Sequence, residues 1–288
     1  MKSRPGCIPC IMKQAYNTAI RATGDQHRII EILNAAADHV KTIDMDCTPA
    51  DNSNFVYEAT ERLTGVADPY GAEKKRYNDI CLDMVPSLRR RIEYSIEPLH
   101  DAIKTALLGN IIDLGIGMTF DLDHEVEEVF RNPLAVDDYV AFRELLESGR
   151  KRILYLGDNA GEIVFDKLLI EELYHDHDVT YVVKSGPIIN DATMDDADYV
   201  GMTGIVTVIE TGSNGIGVKW SEASDAFKEQ FASADLIISK GQGNFETVND
   251  CAGTIFFLLK AKCDFVAEEL GVKLGEVVFK KGGRPKSL

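Results

Sequence analysis

The sequence predicts an α/β protein: a helical N-terminal region over residues 1–149, then an α/β domain with a mostly parallel sheet over residues 150–288. Three observations predict it. Before residue 149, apolar residues recur at mixed spacings of three and four, the period of amphipathic helices. From Lys151 on, short β-branched or aliphatic runs take over. Helical patterns separate most of these runs, and strand–helix alternation implies parallel strands joined by crossover helices.

In the first region, helices are expected at Ile11 to Ala22, His27 to Ile43, Asn52 to Leu63, Ala72 to Tyr94, Pro98 to Leu108 and Leu134 to Gly149. Breaks fall at Gly24-Asp25, Thr48-Pro49, Gly65 to Gly71, Ile96-Glu97-Pro98 and Gly109-Asn110. Glycine frees the backbone there, and proline removes a donor. No half-buried strand pattern stands out in this region. In the second region, strands are expected at Ile153 to Leu156, Val179 to Val183, Val206 to Ile209, Leu236 to Ser239 and Val277 to Phe279. Helices are expected at Ile163 to Tyr174, Glu222 to Phe231, Phe245 to Leu259 and Phe265 to Leu270. Residues 245–259 are apolar enough to be partly strand.

A chain of 288 residues can bury a sizeable core. Its 45% hydrophobic and 27% charged residues are ordinary for a soluble globule. The net charge of -16 excludes a general nucleic-acid binder, which carries a basic footprint. No apolar stretch approaches the roughly 20 residues of a membrane helix; Thr254 to Leu259 stops at Lys260. Met1 to Cys7 shows no apolar run after its charges, so a cytoplasmic location is expected, with neither nucleic acid nor membrane as partner. The six cysteines do not read as a disulfide framework in that setting.

Four polar loops follow the expected strands: Gly157 to Glu162, Lys184 to Thr193, Glu210 to Gly217 and Ser239 to Glu246. If the strands are parallel, these loops share one sheet edge, the edge at which open α/β sheets bind ligands. Asp158, Asn159, Asn190, Asp191 and Lys240 could then converge. Carboxylate and carbonyl oxygens suit Mg²⁺ or Mn²⁺. Asp158, Asn159 and Asp191 would leave positions open for water and a phosphoryl oxygen, and Lys240 could take another phosphate oxygen. Asp-Asn after a strand also suits a plain helix cap or turn. Histidine and cysteine are absent from the loops, which disfavours a zinc hydrolase.

Other signals are weaker. Asp121-Leu-Asp123 lacks a preceding apolar strand and reads as the cap of a charged helix. Cys7-Ile-Pro-Cys10 is a lone CxxC: half of a second metal site, a redox pair, or two reduced thiols. No Ser-His-Asp arrangement or nucleophile elbow is present.

Five segments together resemble the metal-dependent damage-control phosphatases. They are PGCIPC at the N-terminus, GNIIDLG at Gly109 to Gly115, YLGDNAGE at Tyr155 to Glu162, IINDAT around Asp191, and SKGQGNFE at Ser239 to Glu246. The CxxC is similar to that of stand-alone archaeal and bacterial members. The resemblance implies a three-layer α/β/α, Rossmann-like C-terminal domain with an added helical region. It implies that Asp158, Asn159 and Asp191 bind a divalent metal, with Mn²⁺, Co²⁺ or Ni²⁺ favoured over Mg²⁺. It also implies that Asn110 reaches the cleft and that Glu162 and Lys240 lie near the phosphate, with Asn244 and Glu246 as further candidates.

The expected function is metal-dependent hydrolysis of small phosphometabolites. Asp158 and Asp191 are the candidate catalytic carboxylates, as metal ligands, nucleophile or base. An S-adenosylmethionine-dependent carboxyl methyltransferase and a non-catalytic nucleotide or metal sensor are the alternatives. Oligomeric state is left open by the sequence.

Overall fold

The structure is a computed structural model that describes residues 1–111 and 122–285. The first half carries helices α1 (Cys7–Ala22), α2 (Gln26–His39), α3 (Pro49–Thr64), α4 (Gly71–Glu93), α5 (Pro98–Ile111) and α6 (Leu122–Arg131). Strand β1 (Val136–Asp137) and helix α7 (Tyr139–Glu147) follow. The second half runs β2 (Arg152–Leu156), α8 (Glu162–Glu171), β3 (Asp178–Val183), α9 (Met194–Tyr199), β4 (Thr207–Glu210) and α10 (Asp225–Ser233). It ends with β5 (Leu236–Lys240), α11 (Gln242–Val248), β6 (Ile255–Lys260), α12 (Asp264–Leu270) and β7 (Val277–Gly282).

Local chemistry accounts for the helix ends. Asp25 caps α2 by accepting from the His27 N–H. Thr48 caps α3, Pro49 opens it, and Gly65 closes it in the left-handed region. Thr193 and Asp196 form a reciprocal capping box on α9.

The strands make one seven-stranded sheet in the order β1-β7-β6-β5-β2-β3-β4. The five from β6 to β4 are mutually parallel. β7 runs antiparallel to β6, and β1 pairs parallel with β7. The expected α/β class with a mostly parallel sheet is therefore the observed one.

The period of two along each strand sorts side chains onto two faces. Ile153, Tyr155, Tyr181, Ile238, Phe256 and Phe279 share a core with residues of α4 to α8. Leu154, Leu156, Val182, Ile237, Phe257 and Val278 share another with α10, α11 and α12. Both faces are covered, which makes three layers. The helical half divides between cores. α1, α2 and α3 enclose small clusters of their own around Ile11, Ala15, Ile32 and Val56. α4 to α7 instead complete the first layer over the sheet.

Two strands differ from expectation. Residues 255–260 form a strand, not the end of a helix. β6 is buried on both faces, so its apolar run shows no alternation and cannot be told from a buried helix by period. β1 has two residues, too few for any pattern to register.

Phe142 of α7 is fully buried, edge-on to Phe256 at 5.0 Å and to Phe279 at 5.2 Å. Phe142→Ala is expected to cost about 3–5 kcal/mol, read as a lower urea midpoint with little change in slope.

Candidate active site

From β2 the chain steps outward to β3 and β4, then returns to the other side of β2 for β5 and β6. The strand order reverses between β2 and β5, so the loops leaving their carboxyl ends diverge and open a crevice. Asp158 follows β2 and Gly241 follows β5. Gly241 has φ +77, and a Cβ there would lie 1.9 Å from Asp158 Oδ2. The close approach and the left-handed backbone both require glycine.

The loops after β2 and β3 are laced together by their backbones. Asn159 and Asp191 form an antiparallel bridge. The Ala160 N–H donates to Asn190 O and the Ala192 N–H to Asp158 O, each at 2.8 Å. This brings Asp158, Asn159 and Asp191 to one place. Asp191 is 5% exposed. Burial pushes its carboxyl up to about 6, against the pull of the Lys184 ammonium. Burial, then the negative charges of Glu162 and Asp191, raise Asp158 well above the usual carboxylate range. Asn159 Nδ2 donates to Asp158 Oδ2 at 2.9 Å and to Glu162 Oε1 at 2.7 Å. Its Oδ1 is the atom left for a cation.

These residues fit a hard divalent cation by donor type: two carboxylates and an amide oxygen. The electrostatics fit as well. Burial and the neighbouring carboxylates hold both Asp158 and Asp191 above the usual range, a strain that a cation at these oxygens would relieve.

The other expected residues fall in different places. Lys240 is not at the cleft surface. It lies on the face of β5 that carries Leu236 and Ile238, pointing beneath the loops, and is 0% exposed. Its Nζ pairs with Asp166 Oδ1 at 2.7 Å and Glu162 Oε2 at 3.1 Å, and donates to Ala106 O at 2.6 Å. All three ammonium donors have partners, which leaves none to offer a phosphate. Asn244 is 2% exposed and ties the two strand ends together, Nδ2 donating to Gly157 O and Lys240 O. Glu162 is buried at the start of α8. The side chain of Asn110, in the last turn of α5, lies outside the described residues, as do the loop that follows it and Asp121.

Asp158, Asn159, Asp191 and Glu246 line a cavity of about 530 Å³. Its far wall comes from the helical half, with Gln14, Arg21, Tyr57 and Tyr70 among the residues facing it. Lys262, passed over in the sequence, also lines it; its ammonium has no ion-pair partner among the described residues, and its charge acts to lower the Asp158 carboxyl. Lys184, seen in sequence only as the start of a loop, is 3% exposed, 3.5 Å from Asp191 Oδ2, and donates to Gly217 O. Only its place after β3 distinguished it. Asn78 of α4 accepts from the Gly161 N–H at 2.6 Å and so steadies the loop after β2. Cys7 and Cys10 are free thiols lining the same cavity, with Cys263. Burial raises the pKa of both, away from a reactive thiolate. Among the described residues, no group of three or more His, Cys, Asp or Glu side chains is arranged to hold a metal ion, whether at these thiols or at the carboxylates.

Glu246 is 6% exposed, and burial pushes its carboxyl up to about 7, opposed by the Gln242 hydrogen bond. The folded chain therefore holds this proton more tightly than the unfolded one. The stability that this gives is complete below the ordinary carboxylate value of 4.5 and is lost as pH rises through about 7. Glu246→Gln should then be more stable than the parent at pH 8, by about 3 kcal/mol, with the gap closing on acidification. Thermal unfolding of both proteins between pH 4 and pH 8 checks the sign and the window.

Residues 3–278 match the damage-control phosphatase ARMT1-like domain. A damage-control phosphatase of Pyrococcus horikoshii is 35% identical over 285 residues, covering 96% of this chain and 97% of that protein. A damage-control phosphatase of Archaeoglobus fulgidus is 32% identical over 291 residues, covering 97% and 99%. The crystal structure of a DUF89 family protein from Pyrococcus horikoshii superposes with a TM-score of 0.87 at 34% identity, covering 98% of this chain and 99% of that one. With this match over nearly its whole length, the chain belongs to the damage-control phosphatase ARMT1-like domain family.

Proposed function

We propose that the chain is a metal-dependent phosphatase that hydrolyses phosphomonoesters of small phosphometabolites, in metabolite damage control. Sugar phosphates, damaged nucleotides and cofactor intermediates are the substrate classes. The observation that carries this reading is the Asp158–Asn159–Asp191 cluster, brought together at the strand-order reversal by the backbone bridge between the two loops. The names of the relatives support it. The cavity of about 530 Å³ suits a small metabolite.

Asp158, Asn159 and Asp191 are the residues that would hold the cation, with Mn²⁺, Co²⁺ or Ni²⁺ favoured and Mg²⁺ also suited to the oxygen donors. A bound divalent cation supplies Lewis-acid polarisation of the phosphoryl group. The protein's part is positioning and electrostatics, as phosphoryl transfer requires. Lys262 meets the phosphate from the open side, the role that Lys240 is too deeply buried to take. Lys184 holds Asp191 in place from behind. Tyr57, Tyr70 and Gln14 line the wall opposite the carboxylates, where the leaving alcohol would sit. No helix among the described residues is long and apolar enough to cross a membrane. We place the enzyme in the cytoplasm, with a small phosphorylated metabolite as its partner.

The test is phosphate release from a panel of phosphomonoesters with Mn²⁺, Co²⁺, Ni²⁺ or Mg²⁺, beside a chelator control. Asp158→Ala should lose at least about a hundredfold in kcat, since it removes a charge from the reacting centre. Lys262→Met should lower kcat/KM by about tenfold or more, the effect of one charge-assisted hydrogen bond. No phosphate release with any metal, together with methyl transfer from labelled S-adenosylmethionine, would sink the reading.

A further inference from the structure

Beneath the cleft floor lies a set of buried polar groups that the proposed chemistry does not touch. Tyr155 Oη donates to Asp166 Oδ1 at 2.7 Å and Tyr181 Oη to Asp166 Oδ2 at 2.9 Å. Lys240 Nζ bridges Asp166 and Glu162. Glu162 passes the constraint upward, its Oε1 accepting from Asn159 Nδ2. Both tyrosines, Asp166 and Lys240 are 0% exposed and Glu162 is 3%. Burial acts to lower the Lys240 pKa, but the Asp166 and Glu162 carboxylates outweigh it and keep the ammonium charged.

We propose that Asp166 and Lys240 are positioning residues that set the cation affinity of the cleft by holding Glu162 against Asn159. The proposal rests on the reading that Asp158, Asn159 and Asp191 take the cation. An amide offers a cation its oxygen in one orientation and two N–H donors in the other. Both donor bonds of Asn159 Nδ2 run to carboxylates, Asp158 and Glu162, and together they select the orientation that presents Oδ1.

Two contacts hold Glu162 in that bond. α5 closes on it: a Cβ on Gly109 would lie 2.4 Å from Glu162 Cγ. The Lys240 ammonium divides its hydrogen bonds among Asp166, Glu162 and Ala106 O of the same helix. Without the Asp166 charge, Glu162 becomes the sole carboxylate partner of a buried ammonium. It is then drawn down toward Lys240 and away from Asn159. The tyrosine hydroxyls keep Asp166 where it can compete. Groups that orient metal ligands in this way commonly change metal affinity by about 10–100-fold when removed.

The experiment is calorimetric titration of the metal-free full chain with Mn²⁺. Asp166→Asn is expected to weaken Mn²⁺ binding by about tenfold or more, and the double variant Tyr155→Phe/Tyr181→Phe by about threefold or more. Because Asp166 acts through Glu162, adding Asp166→Asn to Glu162→Gln should change affinity by less than about twofold beyond Glu162→Gln alone. A role in folding alone predicts a lower Tm with Mn²⁺ affinity kept within twofold; that result, or losses that multiply in the double variant, overturns the proposal. Should Asp166→Asn not fold, the tyrosine pair decides by the same threshold. A parent protein that binds no Mn²⁺, or an Asp158→Ala variant that binds it as the parent does, would instead remove the metal site on which the proposal rests.

Discussion

The structure turns on two carboxylates, Asp158 and Asp191, kept close together and largely out of water. Burial raises both, and each raises the other or is raised by Glu162. Left to themselves, such groups would separate or take up protons. They are held because their own backbones are laced across the gap, Ala160 to Asn190 and Ala192 to Asp158. The two loops cannot part without breaking these backbone hydrogen bonds. Lys184 and Asn159 soften the repulsion but do not cancel it.

This constraint explains why the site needs both halves of the chain. The sheet supplies the loops, but α4 and α5 supply their support. Asn78 holds the Gly161 N–H, Ala106 O holds the Lys240 ammonium, and Gly109 lets α5 close on Glu162. α1 and α3 then provide the opposite wall of the cavity. The five parallel strands contribute rigidity. β5 is buried along its whole length and Lys240 ends it, so the lysine is as fixed as the core residues before it.

Much of this was legible in the sequence, and the reasons differ by element. α1 to α5 have one apolar side each, which leaves a period in the sequence. β2, β3 and β5 stand between polar turns, which marks their ends even though both faces are buried. β6 had neither mark: apolar throughout and preceded by a helical pattern, it read as the end of a helix or as part strand. Asp158, Asn159 and Asp191 stood out because hard oxygen donors recurred at successive strand ends. Lys262 did not, because it follows a strand that was itself misread. The depth of Lys240 could not be found by counting along β5: Leu236 and Ile238 face one core and Ile237 the other, so both parities are buried.

The sequence by itself determined the α/β class, the helical first half, and the loops that carry the polar chemistry. Those follow from local periodicity and from residue types, which need no knowledge of distant neighbours. Only the tertiary structure decided which lysine is buried and which faces the cleft, that α4 to α7 belong to the layer over the sheet, and that Asp166 stands behind Glu162. Those are matters of which side of a strand faces which helix. They depend on strand order, and strand order arises from contacts between residues far apart in the chain, such as Lys240 with Ala106 and Gly161 with Asn78.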